Sequence, residues 1–570
     1  MFRQPRKTNY NNFLVLFSVV LLLVYLYSIY TINYSLDTLC DEGYLFFALQ
    51  NARKGIYHGH TFWPYIVNAF WTENFCSSIS NLRYLRFGVH FVTVLFYLFA
   101  FYHYFNNKKY FPSVFEKLLF VLIVFLFGVF QLNGIIVAYN ILQEFFIAII
   151  ICLFIISLDK SNKFKLFCFF AIGFFSVFSI LTIFPSGVLI FLSILFFTWF
   201  DTKTIDFLLF LISLFLGIVA SLIFFHFFIL NLNSIFQIIV KTGQVISKQG
   251  YNYDFTSYLI LIGLYIRNYF ICIVLLLGGF SVSVFIKKHF NNLLSVAFFV
   301  AFMVIVILYQ KKPVLHVSTI VSLPIILLSC FGIKRVGGRN SNLLFSIVSF
   351  KGLLLLFCFC LPILSSIGTN IPLDRKTEYF ILPWAVLIFE LLIYLNIKKS
   401  YKMGIFIFLF ITILFRPLNC IFDFFVKEHA NTKCVINHLP AKGVEISESQ
   451  NKYFKRVKSI IESYGYKPKD KIFSTQLDLM TLAVLNAEPV GLYFMPQEFI
   501  NDQNKHKYEQ PAFIFLDGYD RMVMLDSLKA LDWGFPEKYD SIYVDSPETI
   551  ILPYSTKRTL YCLSSKKVVE

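Results

Sequence analysis

The sequence predicts a polytopic α-helical membrane protein of about 13 spans, followed by a C-terminal soluble α/β domain. Three observations predict it. Of 570 residues, 58% are hydrophobic, 72 are Phe and 15% are charged, against roughly 25% charged in soluble proteins. Apolar runs of about 20 residues, the length of a membrane-crossing helix, recur up to position 419. Beyond that point the runs stop, and Lys, Asp, Glu, Gly and Pro become more frequent.

Taken in order, spans are predicted over 13–33, 86–105, 117–136, 138–158, 165–184, 186–200, 205–230, 257–284, 291–309, 315–333, 343–366, 379–397 and 402–419. No small-residue cleavage site follows the first run, so it is a retained span. The run 165–200 is interrupted only by Pro185-Ser186-Gly187, which predicts a tight turn between two spans. In the tail, Asn451–Gly465 has a helical pattern. The runs "KIFST" (471–475), "PAFIFL" (511–516), "DSIYVD" (540–545) and "TIILPY" (549–554) are strand-like. The chain thus divides into a transmembrane part, 1–419, with a first outer loop over 34–85, and an extracytoplasmic α/β domain, 420–570.

Lysine and arginine in the short loops set the orientation. With the N-terminus inside, Arg3, Arg6, Lys7, Lys108, Lys109, Lys117, Lys160, Lys163, Lys165, Lys203, Lys287, Lys288, Lys334, Arg335, Arg339, Lys398, Lys399 and Lys402 all fall on the cytoplasmic side. The opposite turns near 131–137 and 185–187 hold none. An odd span count then puts the tail outside. The formal net charge of +17 is in large part this topological signal, so no nucleic-acid partner is expected. The 11 Cys residues show no metal spacing. Cys152, Cys168, Cys272, Cys330, Cys358 and Cys360 lie in apolar runs as small core residues. Cys40, Cys76, Cys434 and Cys562 lie outside the spans, where an oxidising side would permit disulfides, with no pairing indicated.

The chemistry-bearing stretch is "CDEGYLFFALQNARKG" (40–55). Asp41 and Glu42 stand where the first span gives way to the outer loop, and the residues after them suit a short interfacial helix. One reading makes Asp41 a helix cap and Glu42 a favourable first-turn acid. The other makes the pair a general base beside lipid headgroups, able to deprotonate a hydroxyl attacking a lipid-borne electrophile. Basic residues also occur on the outer side, against the topological bias: Arg53, Lys54, Arg83, Arg86, Lys241, Lys248, Lys311, Lys312, Arg375 and Lys376. Arg83 and Arg86 share one helix face at i, i+3. Lys311 and Lys312 precede His316. Such groups suit a phosphate, although any one of them is also an ordinary headgroup anchor. Tyr139, Asn140, Gln143 and Glu144 form a further polar cluster, and an intramembrane acid is a candidate site or the partner of a neighbouring cation. Arg267 within its span calls for a partner or an aqueous cavity. His58, His60 and His226 are weaker candidates.

Several features together resemble the GT-C superfamily of glycosyltransferases. They are "DEGY" after the first span, "NLRYLRFGVHF" entering the second, "KKPVLHVSTIVSLP" and the outer α/β tail. Within that superfamily the chain is most similar to the branch of protein O-mannosyltransferases and the aminoarabinose (lipid A) transferase. The resemblance covers the whole layout through short motifs. It implies a GT-C-like catalytic transmembrane part in the cytoplasmic (inner) membrane. It implies an inverting enzyme that takes a sugar from a polyprenyl-phosphate-linked donor on the outer face. The sugar goes to a hydroxyl acceptor on a glycan, lipid or protein. Asp41 matches the family's catalytic acid and Glu42 its neighbour. By location, Arg83, Arg86, Lys311, Lys312 and His316 are expected at the carrier phosphate. No cofactor is assigned, and a divalent cation stays an open alternative because no clear acidic motif marks Tyr139–Glu144. Phe side chains are expected to line an apolar groove for the lipid tail. The rival readings are a polysaccharide polymerase or ligase, a lipid or solute transporter, and a non-catalytic scaffold. A transporter would call for inverted repeats, and none stands out.

Overall fold

The structure, a computed structural model, describes residues 10–33, 78–108, 113–129, 139–158, 161–201, 204–229, 231–237, 380–394, 432–437, 441–474, 479–491, 507–545 and 557–564, and separate positions at 43, 46–48, 50, 111, 263, 354, 357–358, 360–361, 364–365, 399, 402–404, 406–407, 409–410, 413 and 499–500. The helices run α1 (Tyr10–Tyr30), α2 (Ile79–Asn107), α3 (Val114–Gly128), α4 (Tyr139–Ser157), α5 (Asn162–Thr182), α6 (Phe184–Asp201), α7 (Thr204–Phe224, continued by a π-turn over Phe225–Ile229) and α8 (Leu382–Tyr394). Among the described residues, five helices are long and apolar enough to cross a membrane: α1, α2, α4, α5 and α7. That is the composition of a membrane-integral protein. The expected spans 257–284, 291–309 and 315–333 lie outside the described residues except Gly263. Those over 343–366 and 402–419 are described at scattered helical positions only.

Two helix starts that differ from expectation bear on the site. The second span begins at Ile79, seven residues before the expected 86, because Ser78 caps it: its side chain accepts from Asn81 N at 3.2 Å. This places Arg83 and Arg86 inside the helix. Between α5 and α6 the chain bends at Ile183, and Pro185 and Gly187 already belong to α6. Proline is tolerated in a first turn, where its missing N–H has no intrahelical acceptor.

Apolar solvent gives polar side chains no water, so within the bundle they bond their own backbone. Ser28 donates to Val24 O, Thr93 to Val89 O, Ser176 to Ile172 O and Thr198 to Ile194 O, all at 2.7–2.9 Å. Helices α5 and α7 approach closely at two glycines. A Cβ at Gly173 would strike Leu214 O, and one at Gly217 would strike Phe170 O. Small residues at such crossings bring backbones together where no hydrophobic effect drives helices into contact. Among the described residues, phenylalanines of neighbouring helices pack ring to ring. Phe120 and Phe389 lie 4.8 Å apart and Phe105 and Phe389 5.4 Å apart, joining α2, α3 and α8.

The tail contains β1 (Thr432–Val435), β2 (Glu445–Ser447), α9 (Glu448–Glu462), β3 (Lys471–Phe473), α10 (Leu479–Leu485), β4 (Glu488–Pro489), β5 (Phe513–Asp517), α11 (Gly518–Lys529), β6 (Tyr539–Asp545) and β7 (Lys557–Leu563). Strands β1 and β2 pair antiparallel, and the larger sheet has the order β4-β3-β5-β7-β6. Strand β3 runs parallel to β4 and β5, while β7 is antiparallel to β5 and β6. Helix α9 starts at Glu448 because Ser447 and Gln450 form a reciprocal capping box. Its buried face, Tyr453, Phe454, Val457 and Ile461, repeats at helical spacing. The "TIILPY" segment lies outside the described residues. Strand β7 was not expected, although "KRTLYCL" supplies the interior strand between β5 and β6. Cys434 and Cys562 are thiols, and Asn451 Nδ2 lies 2.8 Å from Cys434 Sγ. Cys40 and Cys76 fall outside the described residues.

One apolar core runs from the helix ends into the tail. Phe46, Phe47, Ile79, Leu82, Leu142 and Phe146 pack in the same cluster as Ile436, Val444, Val457, Ile472 and Leu479. Gly43, Phe46, Phe47 and Ala48 are buried, the last three in the cluster shared with the tail.

Candidate functional site

Helix α2 carries Arg83, Arg86 and His90 at i, i+3 and i+7, a spacing that aligns them on one stripe. All three are buried, the arginines at 5% and 4% exposure and His90 at 1%. A headgroup anchor keeps its charge in water, so this burial separates Arg83 and Arg86 from ordinary anchors. Arg83 Nη1 donates to Ile32 O at 3.1 Å, joining the start of α2 to the segment just after α1.

His90 Nε2 lies 2.8 Å from Gly128 O, the last residue of α3. The Tyr25 hydroxyl from α1 occupies the space that a Cβ on Gly128 would take. That hydroxyl donates to Phe125 O at 3.0 Å. The other ring nitrogen, Nδ1, faces Glu144 Oε2 on α4 at 4.0 Å, with both side chains 1% exposed. Asn140, Gln143 and Glu144 all fall in the first two turns of α4 and are buried. Gln143 Nε2 donates to Ser186 Oγ on α6 at 2.9 Å. The first turns of α2, α4 and α6 and the last turns of α1 and α3 thus meet at one end of the bundle.

The tail covers that end. Glu445 N donates to Asn33 O at 2.9 Å. Gly443 lies against Ser80 on α2, and a Cβ there would stand 3.9 Å from Ser80 Oγ. Gly43 touches the backbone of Leu479 and Met480 so closely that a Cβ on it would sit 2.7 Å from Leu479 C. Gly43 follows the acidic pair directly in sequence, so the first loop and α10 of the tail are in contact.

Of the expected site residues, Arg83 and Arg86 lie buried on the α2 stripe that carries His90, and Asn140 and Glu144 lie buried in the first two turns of α4, with His90 Nδ1 4.0 Å from Glu144 Oε2. Tyr139 opens α4. Asp41, Glu42, Lys311, Lys312 and His316 lie outside the described residues, as does Arg267. His90 was missed, although the quoted "NLRYLRFGVHF" contains it. Extending the arginine spacing by one turn would have found it. Among the described residues, no group of three or more His, Cys, Asp and Glu side chains converges on a metal position. His90 and Glu144 supply two donors, below the three protein ligands of an open catalytic zinc site.

Chemically, the α2 stripe carries two guanidinium groups, which remain charged at any accessible pH, and an imidazole that faces the Glu144 carboxyl. Cations at this depth are costly unless a polar partner or anion meets them. Compared with known proteins, the chain matches no family model and no curated sequence.

Proposed function

We propose that this chain is a membrane glycosyltransferase that moves a sugar from a polyprenyl-phosphate carrier to a hydroxyl acceptor. The observation that carries the reading is the buried Arg83–Arg86–His90 stripe of α2, whose His90 faces Glu144 of α4, at the end of the bundle covered by the tail. Buried guanidinium groups at a membrane interface suit a lipid-borne phosphate, which they can hold with paired charge-assisted hydrogen bonds. The layout supports the GT-C resemblance, in which the carrier phosphate and an acidic first loop meet beneath a soluble tail. Lys311, Lys312 and His316 are assigned to the same phosphate by location.

The orientation belongs to the same reading. Lys108, Lys117, Lys163, Lys165, Lys399 and Lys402 fall in or beside the helix ends opposite the tail. By the positive-inside tendency that end is cytoplasmic. The tail and the arginine stripe then face outward from the cytoplasmic membrane.

In this reaction the phosphate is already a good leaving group. Asp41 takes the proton from the acceptor hydroxyl, and Glu42 holds a neighbouring cation. The oxygen attacks the sugar's anomeric carbon with inversion as the bond to phosphate breaks. Arg83 and Arg86 stabilise the second negative charge that develops on the departing phosphate. General-base help is worth roughly 10²–10⁴-fold.

The test uses the full chain in nanodiscs with polyprenyl-phosphate sugars. Loss of sugar from the carrier, abolished by Asp41→Asn, is the expected result. Normal turnover in that variant removes Asp41 as the base. Movement of a solute without carrier consumption removes the transferase reading.

A further inference from the structure

We infer that Asn140, Gln143 and Ser186 form a subsite for the hydroxyl groups of a sugar. The inference rests on reading Arg83 and Arg86 as the phosphate site and names what is held beside that phosphate. Asn140 and Gln143 stand three residues apart in the first turns of α4, so they share one helix face. Asn140 is 6% exposed, and Gln143 and Ser186 are 0% exposed. Ser186 lies in the first turn of α6, where its Oγ accepts from Gln143 Nε2 at 2.9 Å.

These side chains differ from other buried polar groups of the bundle. Ser176 and Thr182 turn back onto their own helix, donating to Ile172 O and Phe178 O at 2.7 Å. Among the described residues, no donor reaches Asn140 Oδ1 or Gln143 Oε1. Ser179 Oγ, on the last turn of α5, has no partner among them either. Its backbone lies beside α6: a Cβ on Gly187, the residue after Ser186, would sit 2.8 Å from Ser179 C. A buried amide oxygen without a donor is destabilising, so the position calls for a molecule that supplies one. Turning the Gln143 amide over, so that its oxygen accepts from Ser186, leaves its NH₂ without an acceptor instead.

The chemistry of these groups selects the ligand. Asn140, Gln143, Ser179 and Ser186 are uncharged, and each amide combines an acceptor with a donor. A hydroxyl group matches them, because it donates to a carbonyl oxygen and still accepts elsewhere. A carboxylate or phosphate ion has no proton to give to two carbonyl oxygens, and an alkyl chain satisfies none of these atoms.

Depth along the bundle puts the subsite level with the phosphate. Helices α2 and α4 both begin at the end covered by the tail, and His90 of α2 faces Glu144 of α4 at 4.0 Å. Arg86 precedes His90 by four residues, and Asn140 precedes Glu144 by four. Each therefore lies about 6 Å nearer the tail, at a shared depth on neighbouring helices. A phosphate held at Arg86 can present its sugar at the level of the amides.

The test measures binding of farnesyl phosphodiesters to the full chain in nanodiscs by calorimetry. The diesters carry glucose, mannose or galactose. The reference is farnesyl methyl phosphate, which has the same charge and no sugar. At least one sugar diester is expected to bind about tenfold more tightly than the reference. Gln143→Met, which keeps the length of the side chain without its amide, is expected to remove most of that gain and to leave the reference affinity within about twofold. Equal binding of the reference and every sugar diester means that the amides meet water alone; it overturns the subsite and leaves the phosphate site standing. An undiminished gain in Gln143→Met, or equal losses for sugar and methyl diesters, also overturns the subsite. No binding of any diester overturns both readings. Wild-type protein keeps the test decisive if the variant fails to fold. A photoreactive diazirine on the sugar of the tightest diester must then label α4 or α6, and label confined to other segments overturns the inference.

Discussion

Lys402 Nζ donates to Glu116 Oε1 at 3.1 Å, and the two side chains are 5% and 3% exposed. Glu116 also accepts from the Ser113 hydroxyl in the first turn of α3. The pair joins segments 286 residues apart in sequence at the end of the bundle opposite the tail. Removing one partner leaves the other charge buried alone, a loss of about 3–5 kcal/mol. Lys402→Met is therefore expected to lower the thermal unfolding temperature in detergent. The double variant Glu116→Gln/Lys402→Met is expected to recover most of that loss, because it strands no charge. A double variant as unstable as the single one contradicts this account.

Gly43→Ala is expected to separate the first loop from the tail. The added methyl group has backbone on its far side, at Leu479 and Met480, and backbone cannot rotate away as a flexible side chain would. Overpacking of this kind costs about 1–3 kcal/mol. Limited proteolysis should release the tail faster than in wild type, and carrier turnover should fall with it. Unchanged proteolysis and unchanged turnover together would show that the contact is dispensable.

Arg86→Lys tests the geometry of the anion site separately from its charge. The guanidinium offers two parallel donors, and an ammonium offers a point charge on a flexible stem. Binding of farnesyl phosphoglucose is expected to weaken by about tenfold, equivalent to about 1.4 kcal/mol, with the fold retained by circular dichroism. Equal affinity in the two proteins would show that Arg86 does not meet the phosphate.

The tail is expected to lose stability in alkali. Burial, helped by the charge on Asp540, pushes the Cys562 thiol from 9.0 up to about 12. Burial, with a hydrogen bond to Asp540, pushes Tyr464 from 10.0 up to about 12. Burial likewise pushes Tyr539 from 10.0 up to about 12. Tyr464 donates to Asp540 Oδ2 at 2.7 Å and Tyr539 to Pro511 O at 2.7 Å. In each case the native state keeps its proton in a range where the unfolded chain has lost it. Stability then falls as pH rises from the unfolded value near 9.0 for the thiol and 10.0 for the phenols toward about 12. Melting temperatures from pH 7 to 11, read beside tyrosinate absorbance, check the sign. A flat profile above pH 9 would contradict it.

Much of this architecture is legible without coordinates, because membrane burial writes itself into composition. A run such as 205–230 has too few polar groups to survive in water, so its helix could be predicted from hydropathy alone. Helix α9 was legible through its repeating apolar face, and β3, β5 and β6 through short apolar stretches. Strand β7 was not, since Lys557, Arg558 and Thr559 open it and its burial comes from lying between β5 and β6.

At the site, residue types and positions pointed to Arg83, Arg86, Asn140 and Glu144, since a charge within an apolar run stands out in one dimension. That His90 meets Glu144 could not be read that way. Arg83, Gly128, Glu144 and Glu445 are far apart along the chain, and only helix packing brings the groups around them together. Composition determines that a segment must leave water. Which buried polar group meets which is decided in three dimensions, where every unsatisfied atom narrows the packings that remain.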